Sequence, residues 1–279
     1  MTDALRILHL SDTHLYGDGR LHYGIVDTLA GLDRVLARAG SLAEVDVVAA
    51  SGDLSDDGSA DSYRRLAGTV GPWAAERGAA IVYAMGNHDL RDGFEEVLGA
   101  RETVTTVRGF RIVTVDTSVP GAGYGSVDEA QLERLRDVLA TTAEHGTIVV
   151  LHHPPVAPTT LLFETLRFVD PEPFLDVCAT GDVRAILAGH YHHGLVTEAG
   201  PSGIPVVVAP AVANTTDVLW PAPRERAVRG AGCAWVQVPV DGPVRAHFVT
   251  APAPDDGATV YDLDADAVRR IADDAGWRA

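Results

Sequence analysis

Five short apolar runs, each ended by a polar group, are the main pattern of the chain. The runs are residues 6–10, 45–50, 80–85, 148–151 and 186–188, and the polar groups after them begin at Asp12, Asp53, Asn87, His152 and His190. Continuous apolar runs of this length, ended by glycine, aspartate or asparagine, are typical of strands buried on both faces. Residues that follow such strands gather at the carboxyl edge of the sheet. The pattern therefore predicts one site assembled from five distant segments.

Helical and further strand patterns separate these runs. Amphipathic helices are predicted over residues 27–39 and 126–140, and a third helix is predicted to begin near Pro171. Residues 104–115 predict a hairpin, and residues 197–249 predict several more strands divided by glycine and proline turns. Periodicity alone thus indicates a mixed α/β fold with a large sheet content.

The end of the chain has a different composition. Residues 251–257 are rich in proline and aspartate, and a short helix is predicted after them over residues 265–272. We therefore expect residues 1–250 to form one domain. Residues 251–279 are expected to be a linker and short helix, either within that domain or as an arm at an interface. Residues 159–168 are expected to flank the site or to meet another subunit, because prolines before them prevent a long helix.

The polar groups are rich in oxygen and imidazole ligands and contain no thiolate. They read Asp12-x-His14, Gly52-Asp53, Gly86-Asn87-His88-Asp89, His152 and Gly189-His190-Tyr191-His192. Such a set suits Mn, Fe or Zn, and the imidazoles make Mg less suitable. Asp53 is the natural bridge, because a carboxylate can touch two cations about 3.5–4 Å apart. A hydroxide held between these cations would attack phosphorus, so the set predicts a two-metal hydrolase of phosphate esters.

Each block taken alone has an ordinary structural explanation. Gly52-Asp53 is an ordinary turn after a strand, and Gly86-Asn87 is an ordinary glycine-containing loop. Their occurrence together, in order and each after a strand, is what favours a site. His153 and His193 adjoin the blocks, and a structural role is the favoured interpretation of both.

In this order the blocks resemble the complete signature of the calcineurin-like metallophosphoesterases. The resemblance implies a four-layer αββα sandwich of two mixed β-sheets, with a dinuclear metal site at the carboxyl ends of the strands. It also implies two ligand sets, Asp12, His14, Asp53 and His192 for one metal, and Asp53, Asn87, His152 and His190 for the other.

The same resemblance implies roles for two residues beside the metals. His88 would be catalytic: together with Asn87 it would face the substrate phosphate, and it would stabilise the transition state or protonate the leaving oxygen. Asp89 would orient the ring of His88. An imidazole with a carboxylate partner suits a general acid near neutral pH.

Within this superfamily the chain is most similar to the bacterial class III cyclic nucleotide phosphodiesterases. The similarity extends from Leu5 to about Val249 and rests on three segments, Leu10-Ser11-Asp12-Thr13-His14, Ser51-Gly52-Asp53-Leu54 and Leu151-His152-His153-Pro154-Pro155. It implies hydrolysis of a 3′,5′-cyclic nucleotide, above all cAMP, to the nucleoside monophosphate. The same ligands also suit a phosphomonoesterase, a protein phosphatase, or a phosphodiesterase on 2′,3′-cyclic nucleotides or glycerophosphodiesters. An inactive metal-binding scaffold is the alternative from another class, and the presence of His88 argues against it.

Two residues and one loop near the blocks allow more than one interpretation. Asp56 is either a hydrogen-bond acceptor for a ligating histidine or a solvated turn carboxylate. Asn214 is interpreted as a turn former rather than a residue of the site. The glycine-rich loop of residues 15–24, with His22 and Tyr23, is expected to border the cleft, where it could contact the substrate.

The charge of the chain limits the class of binding partner that is expected. The formal net charge of −17 argues against a nucleic-acid polymer, because phosphate backbones require a basic surface. Bound dications can reverse the local potential, so a small-molecule phosphodiester remains the expected partner. A homodimer is expected by analogy with related phosphodiesterases.

Length and apolar content predict a large hydrophobic core and a cytoplasmic location. The 279 residues are 46% hydrophobic, which is sufficient for a large core. No apolar run reaches the roughly 18–20 residues of a membrane span, and no basic, apolar leader precedes the first strand, so a cytoplasmic protein is expected. Cys178 and Cys233 match no metal or disulfide spacing and are expected to be buried free thiols.

Overall fold

The computed structural model describes residues 3–277, and this part of the chain contains 14 strands and seven helices. In chain order the elements are β1 (Ala4–Leu10), α1 (Thr28–Ala39), β2 (Val47–Ser51), α2 (Ala60–Ala75), β3 (Ala80–Ala84), α3 (Arg91–Leu98), β4 (Val104–Val107), β5 (Phe110–Thr114), α4 (Glu129–Leu139), β6 (Thr147–Val150), α5 (Leu161–Thr165), α6 (Glu172–Thr180), β7 (Val183–Ala188), β8 (Leu195–Ala199), β9 (Ile204–Val208), β10 (Thr215–Thr216), β11 (Glu225–Val228), β12 (Gly232–Pro239), β13 (Arg245–Thr250), β14 (Thr259–Leu263) and α7 (Ala265–Ala275).

Two mixed sheets form the body of the protein. The first has the order β13-β12-β1-β2-β3, in which β1, β2 and β3 are parallel and β12 is antiparallel to β1. The second has the order β4-β5-β6-β7-β9-β8, in which β5, β6, β7 and β9 are parallel. The five predicted apolar runs coincide with β1, β2, β3, β6 and β7, and the predicted hairpin coincides with β4 and β5.

Alternating side chains divide the core into three apolar layers. Leu8 and Leu10 of β1 pack with α1 and α2, whereas Leu5 and Ile7 lie in the layer between the two sheets. Strand β6 divides in the same way between the inter-sheet layer and a third layer under α4 and α6. Because successive strand residues point to opposite faces, each sheet is buried on both sides. The order helix, sheet, sheet, helix confirms the predicted αββα sandwich.

Side-chain caps set where the outer helices begin. Asp27 caps α1, close to the predicted start. Helix α4 was predicted to begin at Ser126 but begins at Glu129, because Asp128 and Gln131 form a reciprocal capping box there. Serine is a good cap in isolation, but the box satisfies two free backbone amides and therefore fixes the later start.

The end of the chain contains more structure than a linker and a helix. Strand β14 pairs antiparallel with β11 in a small sheet of order β10-β11-β14. The sequence pattern missed β14, because its residues are at most partly buried and do not alternate cleanly. Helix α7 is capped by Asp264 and continues to Ala275, beyond its predicted end. The amide of Trp277 donates to the carbonyl of Thr165 in α5 (2.7 Å), so the tail packs on the body.

Two smaller expectations concern cysteines and membranes. Cys178 and Cys233 are buried free thiols, as predicted. Among the helices of residues 3–277, none combines the length and apolar composition needed to cross a bilayer.

Candidate metal centre

The five polar blocks meet at one edge of the sandwich, where β1, β2, β3, β6 and β7 end. The amide of Asp12 donates to the carbonyl of Gly52 (3.0 Å), and the amide of His14 donates to the carbonyl of Asp53 (2.9 Å). The amide of His190 donates to the Asp12 carboxylate (3.1 Å). Segments that are far apart in sequence are thus joined by backbone hydrogen bonds, and the predicted convergence of the blocks is observed.

The side-chain donor atoms of the predicted ligands lie close together. His192 Nε2 is 3.3 Å from Asp12 Oδ1 and 3.2 Å from His14 Nε2. His152 Nε2 is 3.3 Å from Asp53 Oδ2, and His14 Nε2 is 3.7 Å from the same oxygen. Asp53 therefore lies between two groups of histidines, which is where a bridging carboxylate would have to be.

Each of the four histidines in the predicted ligand sets uses one ring nitrogen in a hydrogen bond to a protein oxygen. The acceptors are Asp56 Oδ1 for His14 Nδ1 (2.8 Å), the Ser51 carbonyl for His152 Nδ1 (2.8 Å), the Leu166 carbonyl for His190 Nε2 (2.9 Å) and Asn214 Oδ1 for His192 Nδ1 (2.9 Å). Since these oxygens only accept, each of these nitrogens carries a proton, and the other ring nitrogen is the one left to bind a metal ion. This is the tautomer that a metal ion requires of a histidine ligand.

The remaining lone pairs fit bound cations. His14 Nε2 and His192 Nε2 face each other although each ring already carries its proton on Nδ1. In residues 3–277, Asn87 Oδ1 and His152 Nε2 are buried without any hydrogen-bond partner. Leaving a buried polar atom unpaired costs about 1–3 kcal/mol, so each of these atoms is expected to have a ligand. The donor set therefore fits metal ions at the position that the sequence predicts.

Five of the predicted ligands have a left-handed backbone conformation. Their φ angles are 52° for Asp12, 44° for His14, 48° for Asp53, 70° for His190 and 55° for His192. This region costs a non-glycine residue about 1–3 kcal/mol, and it persists where the surrounding structure imposes it, commonly at functional sites. The backbone geometry thus marks the same residues as the sequence blocks do.

Glycines allow two of the blocks to approach each other. Gly52 has a φ of 94°, and a Cβ on it would lie 2.5 Å from His152 Nδ1. A Cβ on Gly86 would collide with the backbone and carboxylate of Asp53. Only glycine fits at either position, which explains why glycine immediately precedes Asp53 and Asn87 in the sequence.

Burial and charge set the protonation of the site. Burial opposes ionisation, but neighbouring His192 lowers the pKa of Asp12 to about 2, and His152 keeps the pKa of Asp53 well below its usual value. Against its own burial, the charge of Asp53 raises the pKa of His152 to about 9, so a metal ion bound at Nε2 would take the place of a proton there. Burial lowers the pKa of His190 to about 3. Ionised carboxylates and a neutral imidazole are the forms that bind a cation.

His88 lies at the rim of the site with its side chain 45% exposed, and Asp56 is its partner. Its Nδ1 is 3.2 Å from Asp56 Oδ1. Burial opposes protonation, but the charges of Asp53 and Asp56 raise the pKa of His88 to about 9. Asp56 also accepts from His14 and from the Tyr16 hydroxyl. One carboxylate thus positions both a predicted ligand and the predicted general acid.

The prediction that Asp89 orients the ring of His88 is wrong. The Asp89 carboxylate is buried and accepts from the amides of Leu54 (3.1 Å), Ser55 (2.9 Å) and Gly86 (2.9 Å) and from the Tyr63 hydroxyl (3.0 Å). It therefore binds together the loops that follow β2 and β3. Asp89 adjoins His88 in sequence, but backbone donors surround its carboxylate, which leaves Asp56 to hold the ring.

Asn214 is a second correction. The sequence favoured a turn former, but the side chain is buried and accepts the hydrogen bond from His192 described above. A usable signal was present, because Asn214 follows the apolar run of β9 just as the ligand blocks follow their strands.

The role of Asp56 could not be decided from the sequence, and the structure shows it as the acceptor for His14.

The additional histidines differ in their surroundings. His153 is held at both ring nitrogens, 2.8 Å from Thr117 Oγ1 and 3.2 Å from the Gly123 carbonyl, so its structural interpretation is confirmed. His193 stacks on Tyr191 and does not line the cleft. His22 stacks on His14 with ring centroids 4.8 Å apart, and with Tyr23 it lines the cleft, as expected for that loop.

A cavity of about 310 Å³ extends from the metal ligands to an apolar wall. Its polar side contains His14, Asp53, Asn87, His88, His190, His192 and Asn214. Its other side contains Tyr23, Leu162, Phe163, Leu166, Tyr261, Leu263, Ile271 and Ala275. The expectation that residues 159–168 flank the site is thereby confirmed, and residues of the tail flank it as well. The cleft thus has one face for charge and one for an apolar group.

The sequence and the fold are both similar to known proteins. Residues 5–194 match the model of the calcineurin-like phosphoesterase family. The chain is 41% identical over 241 residues to a probable cyclic nucleotide phosphodiesterase of Rhodococcus erythropolis, covering 83% of this chain and 79% of that protein. It is also 41% identical over 241 residues to a cAMP/cGMP dual specificity phosphodiesterase of Mycobacterium tuberculosis, covering 83% and 75%.

Two solved structures are similar in fold at low sequence identity. A dimetal phosphatase from Danio rerio has a TM-score of 0.57 and 14% identity, with 90% of this chain and 100% of that chain covered. A purple acid phosphatase from yellow lupin seeds has a TM-score of 0.64 and 13% identity, with 100% of this chain and 57% of that chain covered. These similarities concern the fold alone.

Proposed function

Because the chain belongs to the calcineurin-like phosphoesterase family, we propose that it hydrolyses 3′,5′-cyclic nucleotides, with cAMP as the first candidate, to nucleoside 5′-monophosphates. One observation carries the proposal: the metal-ligand set and an apolar, partly aromatic wall face the same cavity of about 310 Å³. A phosphodiester joined to a nucleoside has matching polar and apolar parts. The names of the two relatives at 41% identity support the same substrate class.

Two metal ions are proposed as the cofactors. Asp12, His14, Asp53 and His192 would hold one, and Asp53, Asn87, His152 and His190 would hold the other. Mn, Fe or Zn suits these oxygen and nitrogen donors better than Mg. When bound, such metals supply a water of lowered pKa and positive charge to stabilise the transition state.

The other residues bind the substrate and transfer a proton. Asn87 and His88 would hold the phosphate at the polar face of the cleft, where both line the cavity. Water would attack phosphorus in line with the P–O3′ bond and lose a proton to solvent; a new P–O bond forms as the P–O3′ bond breaks, and O3′ leaves with the bonding electrons. His88, kept protonated by Asp53 and Asp56, donates a proton to O3′, so the product is the nucleoside 5′-monophosphate.

The cavity size favours a small substrate over a protein. Its volume lies near the lower end of the roughly 300–1,000 Å³ of small-molecule pockets. Residues of α5, β14 and α7 form a wall beside the ligands, so a folded phosphoprotein would have to displace them. The proposed partner is therefore a small-molecule phosphodiester, not a nucleic-acid polymer.

We also propose that residues 251–279 belong to the same domain as residues 1–250. The pairing of β14 with β11 and the hydrogen bond from Trp277 to α5 support this arrangement. A homodimer, which the sequence resemblance led us to expect, stays a prediction, and light scattering of the purified protein tests it directly.

A substrate panel with metal-reconstituted protein tests the function. Turnover is measured with Mn on 3′,5′-cAMP, 3′,5′-cGMP, 2′,3′-cAMP, bis-p-nitrophenyl phosphate, glycerophosphocholine and p-nitrophenyl phosphate. We expect the highest kcat/KM on a 3′,5′-cyclic nucleotide. Cleavage of other diesters alone would keep the two-metal chemistry and reject the substrate, whereas preference for the monoester would make the protein a phosphatase.

A further inference from the structure

The apolar wall opposite the metal ligands is built largely by the tail of the chain. Tyr261 and Leu263 of β14 and Ile271 and Ala275 of α7 line the cavity that contains His88 and the predicted ligands. These four tail residues include no charged side chain. The end of the chain thus contributes a binding surface to a site whose predicted metal ligands and proton donor all lie earlier in the sequence.

Several contacts hold this surface in place. Leu263 of β14 pairs with Glu225 of β11 in an antiparallel ladder. The amide of Gly123 donates to the carbonyl of Ala275 at the end of α7 (2.8 Å). The ring of Trp277 contacts that of Tyr124, with centroids 5.4 Å apart. A wall anchored on both sides is preorganised for a ligand, which lowers the entropy cost of binding.

Tyr23 adds a second aromatic ring beside Tyr261. Their centroids are 5.2 Å apart at an interplanar angle of 57°. Tyr23 has a φ of 50° in a tight turn that is closed by a hydrogen bond from the Val26 amide to the His22 carbonyl (2.9 Å). This turn presents the ring at the cleft, and the residue as a whole is 58% exposed. A large aromatic side chain held exposed in a constrained turn at the mouth of a polar site suits contact with a ligand.

We propose that Tyr23 and Tyr261, supported by Ile271, form the subsite that binds the base of the nucleotide. The inference rests on the proposed function and adds which residues bind the base of the substrate. Bases stack on aromatic side chains through faces that every base has, and such stacking discriminates weakly between them. Because the tail side of the subsite has no charged group to read base edges, adenine and guanine nucleotides are expected to bind with similar strength.

Paired substrates with and without a base provide the test. KM and kcat are measured for cAMP, cGMP and the base-free methyl riboside 3′,5′-cyclic phosphate, with wild type and the variants Tyr261→Leu, Tyr261→Phe and Tyr23→Leu. Stacking contributions imply that either leucine variant raises KM for cAMP roughly 10-fold. We expect kcat to stay within about twofold, since no reacting group changes. Tyr261→Phe retains the ring and should retain the wild-type KM.

A matched control and a second readout separate recognition from structural damage. Tyr83→Leu removes a partly buried tyrosine that packs on the helix side of the first sheet, outside the cavity, and should change neither constant. Inhibition by AMP should weaken in both leucine variants, whereas inhibition by ribose 5-phosphate should not. Tyr23 is an exposed loop residue, so its variant tests the subsite even if Tyr261→Leu does not fold.

The outcomes distinguish this inference from the proposed function. Equal losses on cAMP and on the base-free substrate would overturn the base subsite while leaving cyclic nucleotide hydrolysis intact. A wild-type preference of more than about 100-fold between cAMP and cGMP would also overturn it, because stacking alone is worth only about 1–3 kcal/mol per base. If the wild type cleaves other diesters but no cyclic nucleotide, the proposed function fails first, and the subsite fails with it.

Discussion

The two walls of the cleft are built in different ways. The polar wall consists of side chains that directly follow β1, β2, β3, β6 and β7, and five of its residues have a strained left-handed backbone. The apolar wall consists of α5, β14 and α7 with the loop of Tyr23, and it reaches the site only by packing. One wall is fixed by the central sheets of the fold. The other depends on contacts between peripheral elements.

We infer from this difference that the polar wall serves catalysis and the apolar wall serves substrate recognition. Each histidine in the predicted ligand sets donates one ring N–H to a protein oxygen, so a small displacement there misplaces a lone pair. The apolar wall makes no comparable hydrogen bonds to the predicted ligands, with the exception of the Leu166 carbonyl. Changes in the polar wall should therefore lower kcat or metal content, and changes in the apolar wall should raise KM.

The largest effect is expected from Asp53→Asn. The substitution retains the volume and an oxygen that accepts from the His88 amide, but it removes the charge between the two histidine groups. We expect metal content measured by plasma mass spectrometry to fall, and turnover to fall by more than the roughly 10²–10⁴-fold that general acid catalysis supplies. Asp61→Asn on the exposed face of α2 is the control. Full metal content in D53N would contradict the bridging role.

His88→Ala should separate catalysis from metal binding within the polar wall. We expect unchanged metal content and a decrease of about 10²–10⁴ in kcat, because the ring contacts Asp56 and lines the cleft and is not a ligand in the proposed metal sets. Metal analysis and turnover on the same preparation provide the measurement. Wild-type activity in this variant would exclude His88 as the proton donor.

Asp56→Asn should produce a smaller loss of roughly 10–100-fold in kcat, the range for residues that orient a metal ligand. The charge that holds His88 protonated is lost, and the acceptor for His14 is weakened. Asp57→Asn is a close control, since this carboxylate accepts from Ser59 and the Gly17 amide instead of from imidazoles. Equal effects of the two substitutions would indicate general damage to the loop.

Glu225→Gln probes β11, the strand that pairs with β14 of the apolar wall, and should act on stability alone. Glu225 is buried on β11 opposite Leu263, its Oε1 has no hydrogen-bond partner, and burial raises its pKa from 4.5 to about 7. The unfolded chain loses this proton near pH 4.5 and the folded chain near pH 7, so the folded state is destabilised as pH rises through that window.

The stability difference between the glutamine variant and the wild type should therefore grow with pH. We expect similar melting temperatures near pH 4.5 and a higher value for the variant at pH 8, where about 2–4 °C accompanies each kcal/mol in domains approaching this size. Thermal unfolding of both proteins across this range, with cyclic nucleotide turnover as a control, provides the test. A difference that does not vary with pH would mean that Glu225 is not titrating.

The polar wall could be predicted from the sequence, whereas the apolar wall could not. Ligand blocks after apolar runs indicate both the strands and the site, because the carboxyl ends of parallel strands share one edge. Tyr261 and Ile271 have no such signal, since partly buried residues of a short strand and a surface helix look like any others. The residue that orients the ring of His88 also could not be predicted from the sequence. Asp89 is its neighbour in the chain, but the choice between Asp89 and Asp56 depends on which carboxylate the backbone amides surround.

Anomalous diffraction from crystals of the Mn-loaded protein with AMP tests the central claim most directly, because it locates metals and base in one cleft. The account predicts two anomalous peaks about 3.5–4 Å apart on either side of Asp53, one beside His14 and His192 and one beside Asn87 and His152. It also predicts the adenine against Tyr23 and Tyr261. A single peak, peaks away from Asp53, or an adenine bound elsewhere would contradict it.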